Sequence, residues 1–572
     1  MTSLTSVETS DRLMTRDTYT KVLWWLLPFA VLVVSTLIQT TGGVYFHMFT
    51  HDMFIPLEGV LHLHNGHLPH RDFVTPIGAL YYFVHYLPSL IVPISAKTLI
   101  YANLLVATVV ALATLVFGRQ RLPLWLASLV ALYLGIIASS PRQIGEPFTL
   151  ISNNASYNRF GWALIGLLAL VAACPRLVPT RRSSLIDGAV VGSLLTGLFL
   201  IKLTYAGAAL GIVLLTMVTT RKFSDWRYPL MLFGLFASVA LAIELSTGLI
   251  HLYLSDVQMT ASVTTNLLRP DFAVRLLFYC ATGAVAVLMV GLINEWDQRR
   301  FHVWVPRTLL SLAIVMAGVV IGIQNHPELE NPLLAVAVLI AGYPSLRFLN
   351  SRAAQDAPAT KTTFDNGAAN GIAKLLAGRA CIIGFVAMAA GPVAQDVAAI
   401  AWVAVAPRAS GSEVAWLAET PLSDLTLFAT EPTKRGTAVP GTSVRDDVDL
   451  IGVIGDGVAL IRPHVRGRDD AVVLPLTFSN PYPVLLGLLP VRHELAWWHA
   501  DRTFSRSIKP NADLLLSGVD FVMLPKRYTN YSNVAAFRDA YAPEIARDFR
   551  VADENATWLL FARNRCQMRL RC

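Results

Sequence analysis

The sequence predicts a polytopic α-helical membrane protein with a C-terminal soluble α/β domain, and three observations carry that reading. Of 572 residues 54% are hydrophobic and only 15% charged, with a mean hydropathy of +0.52, whereas soluble chains carry charge on roughly a quarter of their residues. Apolar runs of around twenty residues recur from position 22 to position 404, each enough to cross a ~30 Å hydrocarbon core. Beyond 404 the composition changes: 39 of the 168 residues in 405–572 are charged, which is the proportion of a soluble domain. The chain therefore divides into a membrane part, 1–404, and an extracytoplasmic part, 405–572.

Taken in order, residues 1–21 are polar and lead into a run at 22–41. That run is too long for a signal-peptide core and lacks a small-residue cleavage site, so it reads as the first spanning helix. Further apolar segments lie at 76–95, 98–117, 122–138, 160–174, 187–201, 204–220, 228–246, 276–294, 308–324, 332–349 and 378–404. Basic residues cluster at Arg176/Arg181/Arg182, at Arg221/Lys222/Arg227, at Arg299/Arg300/Arg307 and from Arg347 to Arg379. Each cluster falls on every second connection, as cytoplasmic loops should. Loops 139–159, 248–275 and 325–331 then face outside together with the C-terminal domain. Arg119 and Arg121 break this parity if 76–95 and 98–117 both cross, so one early segment is expected to cross only partly. About 11 to 13 spans result, with the odd numbers favoured over twelve. In the C-terminal part, 471–476, 520–525 and 557–564 read as strands and 533–547 as an amphipathic helix, together a small α/β sandwich whose sheet order is not readable.

Several classes of function drop out at this point. The net charge of +8 is what cytoplasmic loops of a polytopic protein supply, and no Lys/Arg tract interleaved with aromatics points to nucleic acid. Cys174, Cys280, Cys381, Cys566 and Cys572 form no CxxC pair, which leaves zinc-thiolate and thiol-redox chemistry without support. Cys566 and Cys572 are spaced for a tail disulfide. Gly455 and Gly457 precede no phosphate-loop lysine, and no repeat of fixed period is visible.

The first external loop, 42–75, is the most informative stretch. A connection of this length is functional or disordered, and this one is too hydrophobic for disorder. Met53, Phe54, Leu57, Val60 and Leu61 can share one face of a short helix lying on the membrane surface, with Asp52 at its start, where a carboxylate is favoured. Asp52 suits a general base at the water–lipid boundary, with Glu58 and Asp72 as rivals; it can equally be a helix cap. Asp72, in HRDF, either contacts substrate or pairs with Arg71. His51, His62, His64, His67 and His70 cluster but have no recognised metal-ligand spacing.

An Asp just past the first span, an amphipathic helix and then GHLPHRDF (66–73) running into TPIGALYY resemble the start of a family C (GT-C) glycosyltransferase. The group in question includes the protein O-mannosyltransferases and the aminoarabinose lipid A transferase. The resemblance implies a polyprenyl-phosphate-linked sugar donor and makes Asp52 the catalytic base. It departs from the mannosyltransferase pattern in having His51 and Met53 beside Asp52 instead of an Asp-Glu pair, so substrate class is not carried over. It extends to LFLIKLTYAG (198–207), where Lys202 with Thr204 and Tyr205 matches a lysine followed by a small polar and an aromatic residue. Lys202 is expected at the outer end of its segment, contacting a lipid phosphate or snorkelling to the headgroups.

Other expected substrate contacts are His70 and Arg71, and Arg142, Tyr157 and Arg159 around the loop 139–159, where guanidinium groups can clamp a phosphate bidentately. Tyr253, Ser255 and Asp256 are candidates for acceptor binding, and Trp497/Trp498 and Tyr528/Tyr531 either stack on sugars or form core. Asn154-Ala-Ser fits a glycosylation triplet, a frequent chance match. The expectation is an inverting glycosyltransferase of a bacterial inner or plasma membrane. Its partners are the bilayer, the polyprenyl-phosphate sugar and an envelope lipid, polysaccharide or protein acceptor. No cofactor is called for, and a divalent metal stays open. A transporter or flippase of a lipid-linked sugar is the alternative, and a non-catalytic scaffold a third reading.

Overall fold

The computed structural model describes residues 4–47, 50–153, 155–180, 182–263, 287, 301–325, 330–344, 346, 367–406, 412–427, 447–526 and 534–564. Apart from Val287, the segment expected at 276–294 lies outside these described residues, as do the Cys566/Cys572 pair, Asn154 and Tyr528/Tyr531.

The apolar segments become helices: α1 (Leu4–Thr40), α2 (Phe54–His64), α3 (Ala79–Ser89), α4 (Lys97–Gly118), α5 (Leu124–Ser139), α6 (Ser156–Ala173), α7 (Ser183–Ile201), α8 (Leu203–Thr219), α9 (Arg227–Thr247), α10 (Leu249–Val263), α11 (Phe301–Asn325), α12 (Leu333–Ala341) and α13 (Gly367–Val405). Among the described residues, six are long and apolar enough to cross a membrane, within α1, α4, α6, α7, α9 and α13, and α5, α8 and α11 are shorter apolar helices. This is a membrane-spanning helical protein. Lipid-facing Leu23, Leu26, Leu37, Leu241, Leu245 and Ile383 remain exposed, as expected where hydrocarbon replaces water as solvent.

Hydrogen bonds sort the helix ends into two faces. On one face strand β1 (Val44–Phe46) pairs in parallel with β2 (Leu425–Leu427), and both Asp424 carboxylate oxygens accept the Ala96 and Lys97 N–H groups that open α4. That face carries the C-terminal segment; we call it the capped face. On the far face Arg121 donates to the Cys174 carbonyl and pairs with Asp187, Arg176 pairs with the same carboxylate, and Lys222 donates to Ala172. Helix α4 therefore starts at the capped face and delivers Arg119 and Arg121 to the far one. The parity conflict seen in the sequence resolves because α3, only 11 residues long, turns back on the capped side: Gly78 N–H bonds the Ile201 carbonyl near its start.

The C-terminal segment holds a four-stranded sheet in the order β3 (Val473–Pro475), β4 (Phe521–Pro525), β6 (Trp558–Arg563), β5 (Phe549–Glu554). The first pair is parallel and the others antiparallel. The expected strands at 471–476, 520–525 and 557–564 and the helix near 533–547 are all present; β5 and the long helix Asp447–Val465 were not foreseen.

Helix α2 joins the two parts. Instead of lying on a membrane surface with one face wet, it is buried at nine of its eleven positions. Phe54 and Leu57 pack with Leu450, Ile451 and Tyr482 of the C-terminal segment, while Ile55 and Leu63 join the membrane core with Tyr82. The roof formed by the C-terminal segment, invisible in a local sequence pattern, makes both faces of this helix interior.

Candidate functional site

Asp52 sits in the 3-10 turn Thr50–Met53 immediately before α2. It does not cap that helix: the cap position is Met53, which makes no side-chain cap bond. Its Oδ1 lies 3.1 Å from His51 Nε2, and its side chain keeps 22% of its surface while His51 is buried. His51 is clamped in turn, its ring edge-on to Phe478 at 4.3 Å and its carbonyl accepting the Ser479 hydroxyl at 2.8 Å. A carboxylate held by a fixed imidazole and still reached by solvent is suitable for taking a proton from an incoming hydroxyl.

Lys202 occupies the break between α7 and α8, with extended backbone (φ −165°, ψ 128°). The continuous apolar run in the sequence conceals this break, which aims the side chain sideways instead of along a helix. The ammonium lies 4.8 Å from the centre of the Tyr157 ring and 6.0 Å from that of Tyr205, both cation–π distances. Tyr205 in turn donates to Asn158 Oδ1 at 3.0 Å. Tyr157 also lies within the fields of Asp52 and Arg502, and Lys202 within that of Arg502. Thus Lys202, from the α7–α8 break, contacts the Tyr157 ring, and the charges of Asp52, from the first loop, and Arg502, from the C-terminal segment, reach the same tyrosine.

Arg502 and His499 were missed by sequence reasoning. His499 is reached by the charges of Arg502, Asp52 and His51, and burial first of all pushes its pKa below the usual imidazole range, so it enters the site neutral. The available signal was the aromatic pair Trp497/Trp498 in AWWHADR, an apolar patch in an otherwise soluble composition. Trp497 packs against the membrane core and docks this loop over the site.

The remaining expected contacts stand elsewhere. Arg142 makes a two-pronged pair with Glu330 at 2.7 and 2.8 Å and a bond to Asp396 at 3.0 Å; Arg159 bonds the same Asp396 oxygen at 3.0 Å. Both guanidiniums face protein carboxylates and brace the 139–159 loop against α13. Asp72 accepts from Leu68 N–H at 2.8 Å and Arg71 Nε at 2.9 Å, and also pairs with Arg492. Burial alone would raise its pKa, but these donors outweigh burial and hold it at about 2. Arg71, half-exposed, is committed to that carboxylate. His70, in the left-handed region at φ 69°, bonds Asp256 at 2.9 Å through Nδ1, and its ring lies against Tyr253. The expected acceptor loop is thus a helix, α10, whose Asp256 is engaged by His70 and by the Thr75 N–H. His70 and Tyr253 line an apolar cavity of about 260 Å³ with Leu80, Phe83, Leu200 and Ile250.

Glu58, His62 and Glu494 bring one ligand atom each to within 4.8 Å of one another, all buried. Among the described residues this is the one grouping of metal-ligating type, and only His62 of the five clustered histidines belongs to it.

No protein-family model matches the chain, and no curated protein matches it. Two solved structures are similar in layout. ArnT from Cupriavidus metallidurans bound to undecaprenyl phosphate aligns over 94% of this chain and 98% of its own, at 10% identity and a TM-score of 0.41. The same protein in the apo state aligns over 94% and 97%, at 11% identity and a TM-score of 0.43.

Proposed function

We propose that the chain is a membrane glycosyltransferase of the family C type, transferring a sugar from a polyprenyl-phosphate donor to an envelope acceptor at the capped face, taken as the extracytoplasmic side of a bacterial inner membrane. The observation that carries the reading is the Lys202 ammonium on the Tyr157 ring, with a solvent-reached carboxylate, Asp52, and the Arg502 guanidinium near enough for their charges to reach the same tyrosine. Inverting transfer needs both kinds of group: a base for the acceptor hydroxyl and positive charge for the departing phosphate. In this mechanism Asp52, oriented by His51, takes the hydroxyl proton as the new C–O bond forms. The bond from the anomeric carbon to phosphate oxygen breaks on the opposite side, and Lys202 with Arg502 neutralises the polyprenyl phosphate that leaves. The Tyr157 ring offers a flat surface for the sugar. The apolar cavity beside Leu200, two residues from Lys202, is suited to the first isoprene units of the tail. Arg142, Arg159, Arg71 and Asp72 build the walls in this reading, and His70 faces the tail cavity.

The test is purified Asp52→Asn assayed with a radiolabelled polyprenyl-phosphate sugar. Transfer should fall roughly 10²- to 10⁴-fold, the usual contribution of a general base, with donor binding retained. A flippase of the same lipid would still translocate it with Asn at this position and would transfer nothing in either form; transfer by the variant at the wild-type rate removes Asp52 from the chemistry.

A further inference from the structure

Glu58 and Glu494 approach from opposite parts of the molecule, one on α2 and the other in the loop of the C-terminal segment that roofs it. Both are almost completely buried, at 3% and 1% exposure. Neither makes an ion pair with a lysine or arginine among the described residues; the only basic group facing them is His62, whose Nε2 lies 3.8 Å from Glu494 Oε1. Glu58 Oε1 and both Glu494 oxygens lack a well-aligned hydrogen bond; the Asn480 side chain and the Val491 N–H are the donors beside Glu494. Asn480, whose side chain stands beside Glu494 and is 3% exposed, likewise leaves its Oδ1 without a partner. Two carboxylates in a dry interior with four orphaned oxygens around them are costly unless a cation or a proton is supplied.

One proton shared between the carboxyls would satisfy only two of these oxygens; the placement of His62 points to a cation instead. The His62 Nδ1 is 3.2 Å from His67 Nδ1. With the Nδ1 proton donated to His67, the Nε2 lone pair points at the glutamates. A metal-bound histidine usually has this arrangement, its outer nitrogen hydrogen-bonded and its inner one free. The 3.8 Å separation from Glu494 is close to the ~3.3–3.5 Å edge of a tetrahedron with 2.0–2.2 Å bonds.

We propose that Glu58, His62 and Glu494, with Asn480 Oδ1 or a water completing the set, bind one first-row divalent cation, with zinc the best fit to this mixture of oxygen and imidazole donors. The ion neutralises both carboxylates and rivets α2 to the C-terminal segment. That joint holds Asp52, six residues before Glu58, in register with His499 and Arg502. The role is structural and independent of the proposed reaction.

The experiment uses the full-length, tag-free protein in detergent. Metal content measured by plasma mass spectrometry should be about one equivalent per chain. Dialysis against EDTA should lower the melting temperature, stoichiometric Zn²⁺ should restore it, and Glu494→Gln and Glu58→Gln should each abolish retention and the response to Zn²⁺. If wild-type protein retains no metal and its melting is unmoved by EDTA and by added Zn²⁺, the proposal is overturned and the two carboxyls share a proton. Because chelation and re-addition are read on the wild type, the result stands even if a variant fails to fold.

Discussion

Lys202 illustrates how a single side chain acquires its role from a local break in structure. Embedded in an apolar run it is costly, and a lysine at the end of a continuous helix would snorkel outward. Interrupting the helix at Lys202 instead turns the ammonium onto Tyr157 and Tyr205. Replacing it with Met preserves length and packing, so folding should survive while donor KM rises roughly tenfold or more, as expected for a charge-assisted contact of about 1.5–3 kcal/mol. Steady-state kinetics with varied donor would show this; an unchanged KM would assign Lys202 to anchoring alone. Asp72 offers a residue-scale prediction of the opposite kind. Its pKa is depressed in the folded state to about 2, so its stabilisation is complete above the unfolded carboxyl value near 4 and disappears as pH falls through about 2. Asp72→Asn should cost about 1–2 kcal/mol at pH 7, because Arg71 and Arg492 are half-exposed and screened. Melting curves of the two proteins should converge toward pH 2.

At the level of elements, α2 is the piece most sensitive to change. Gly59 faces the Tyr82 ring so closely that a Cβ there would lie 2.1 Å from Cδ1. Gly59→Ala must push α2 away from α3, and an overpacking cost of about 1–3 kcal/mol is expected, with turnover falling as Asp52 shifts; a melting temperature equal to wild type would contradict this packing. The cap that Asp424 supplies to α4 is the second such joint. The two differ in how far the sequence discloses them. Membrane helices, their order and three of the four strands of the C-terminal sheet could be read from apolar runs and β-branched clusters, because period and length are local properties. That one early segment crosses only partly follows from the charges of Arg119 and Arg121; that the segment is α3 does not. The double burial of α2 and the pairing of Arg142 and Arg159 with Asp396 depend on contacts between distant segments, and nothing in the neighbouring residues signals them; the arrival of Arg502 is signalled only by the Trp497/Trp498 pair beside it. Asp52 and Lys202 could be singled out as candidates; that Lys202 rests on the Tyr157 ring could not.

For the whole molecule, the buried group Arg142, Arg159, Asp396 and Glu330 joins the 139–159 loop, α6 and α13 at the capped face, with two positive and two negative charges in balance. Removing one member leaves an uncompensated charge, so Asp396→Asn should destabilise by about 3–5 kcal/mol. The loss should appear as a lower detergent melting temperature with little change in KM for the enzyme that remains folded; a variant melting normally but binding donor poorly would instead return the two arginines to the substrate.

The pairing of β1 with β2 sets an order of events during synthesis. Val44 leaves the ribosome early, but its partner Leu425 follows only after almost every membrane helix has been made. Until then the strand edge and the helix behind it have no covering. Such late, long-range closure slows folding and leaves sticky surface on display. A truncated chain ending before β2 should therefore insert into the bilayer normally and yet be cleared by proteases, while supplying the missing C-terminal piece as a separate polypeptide should rescue it.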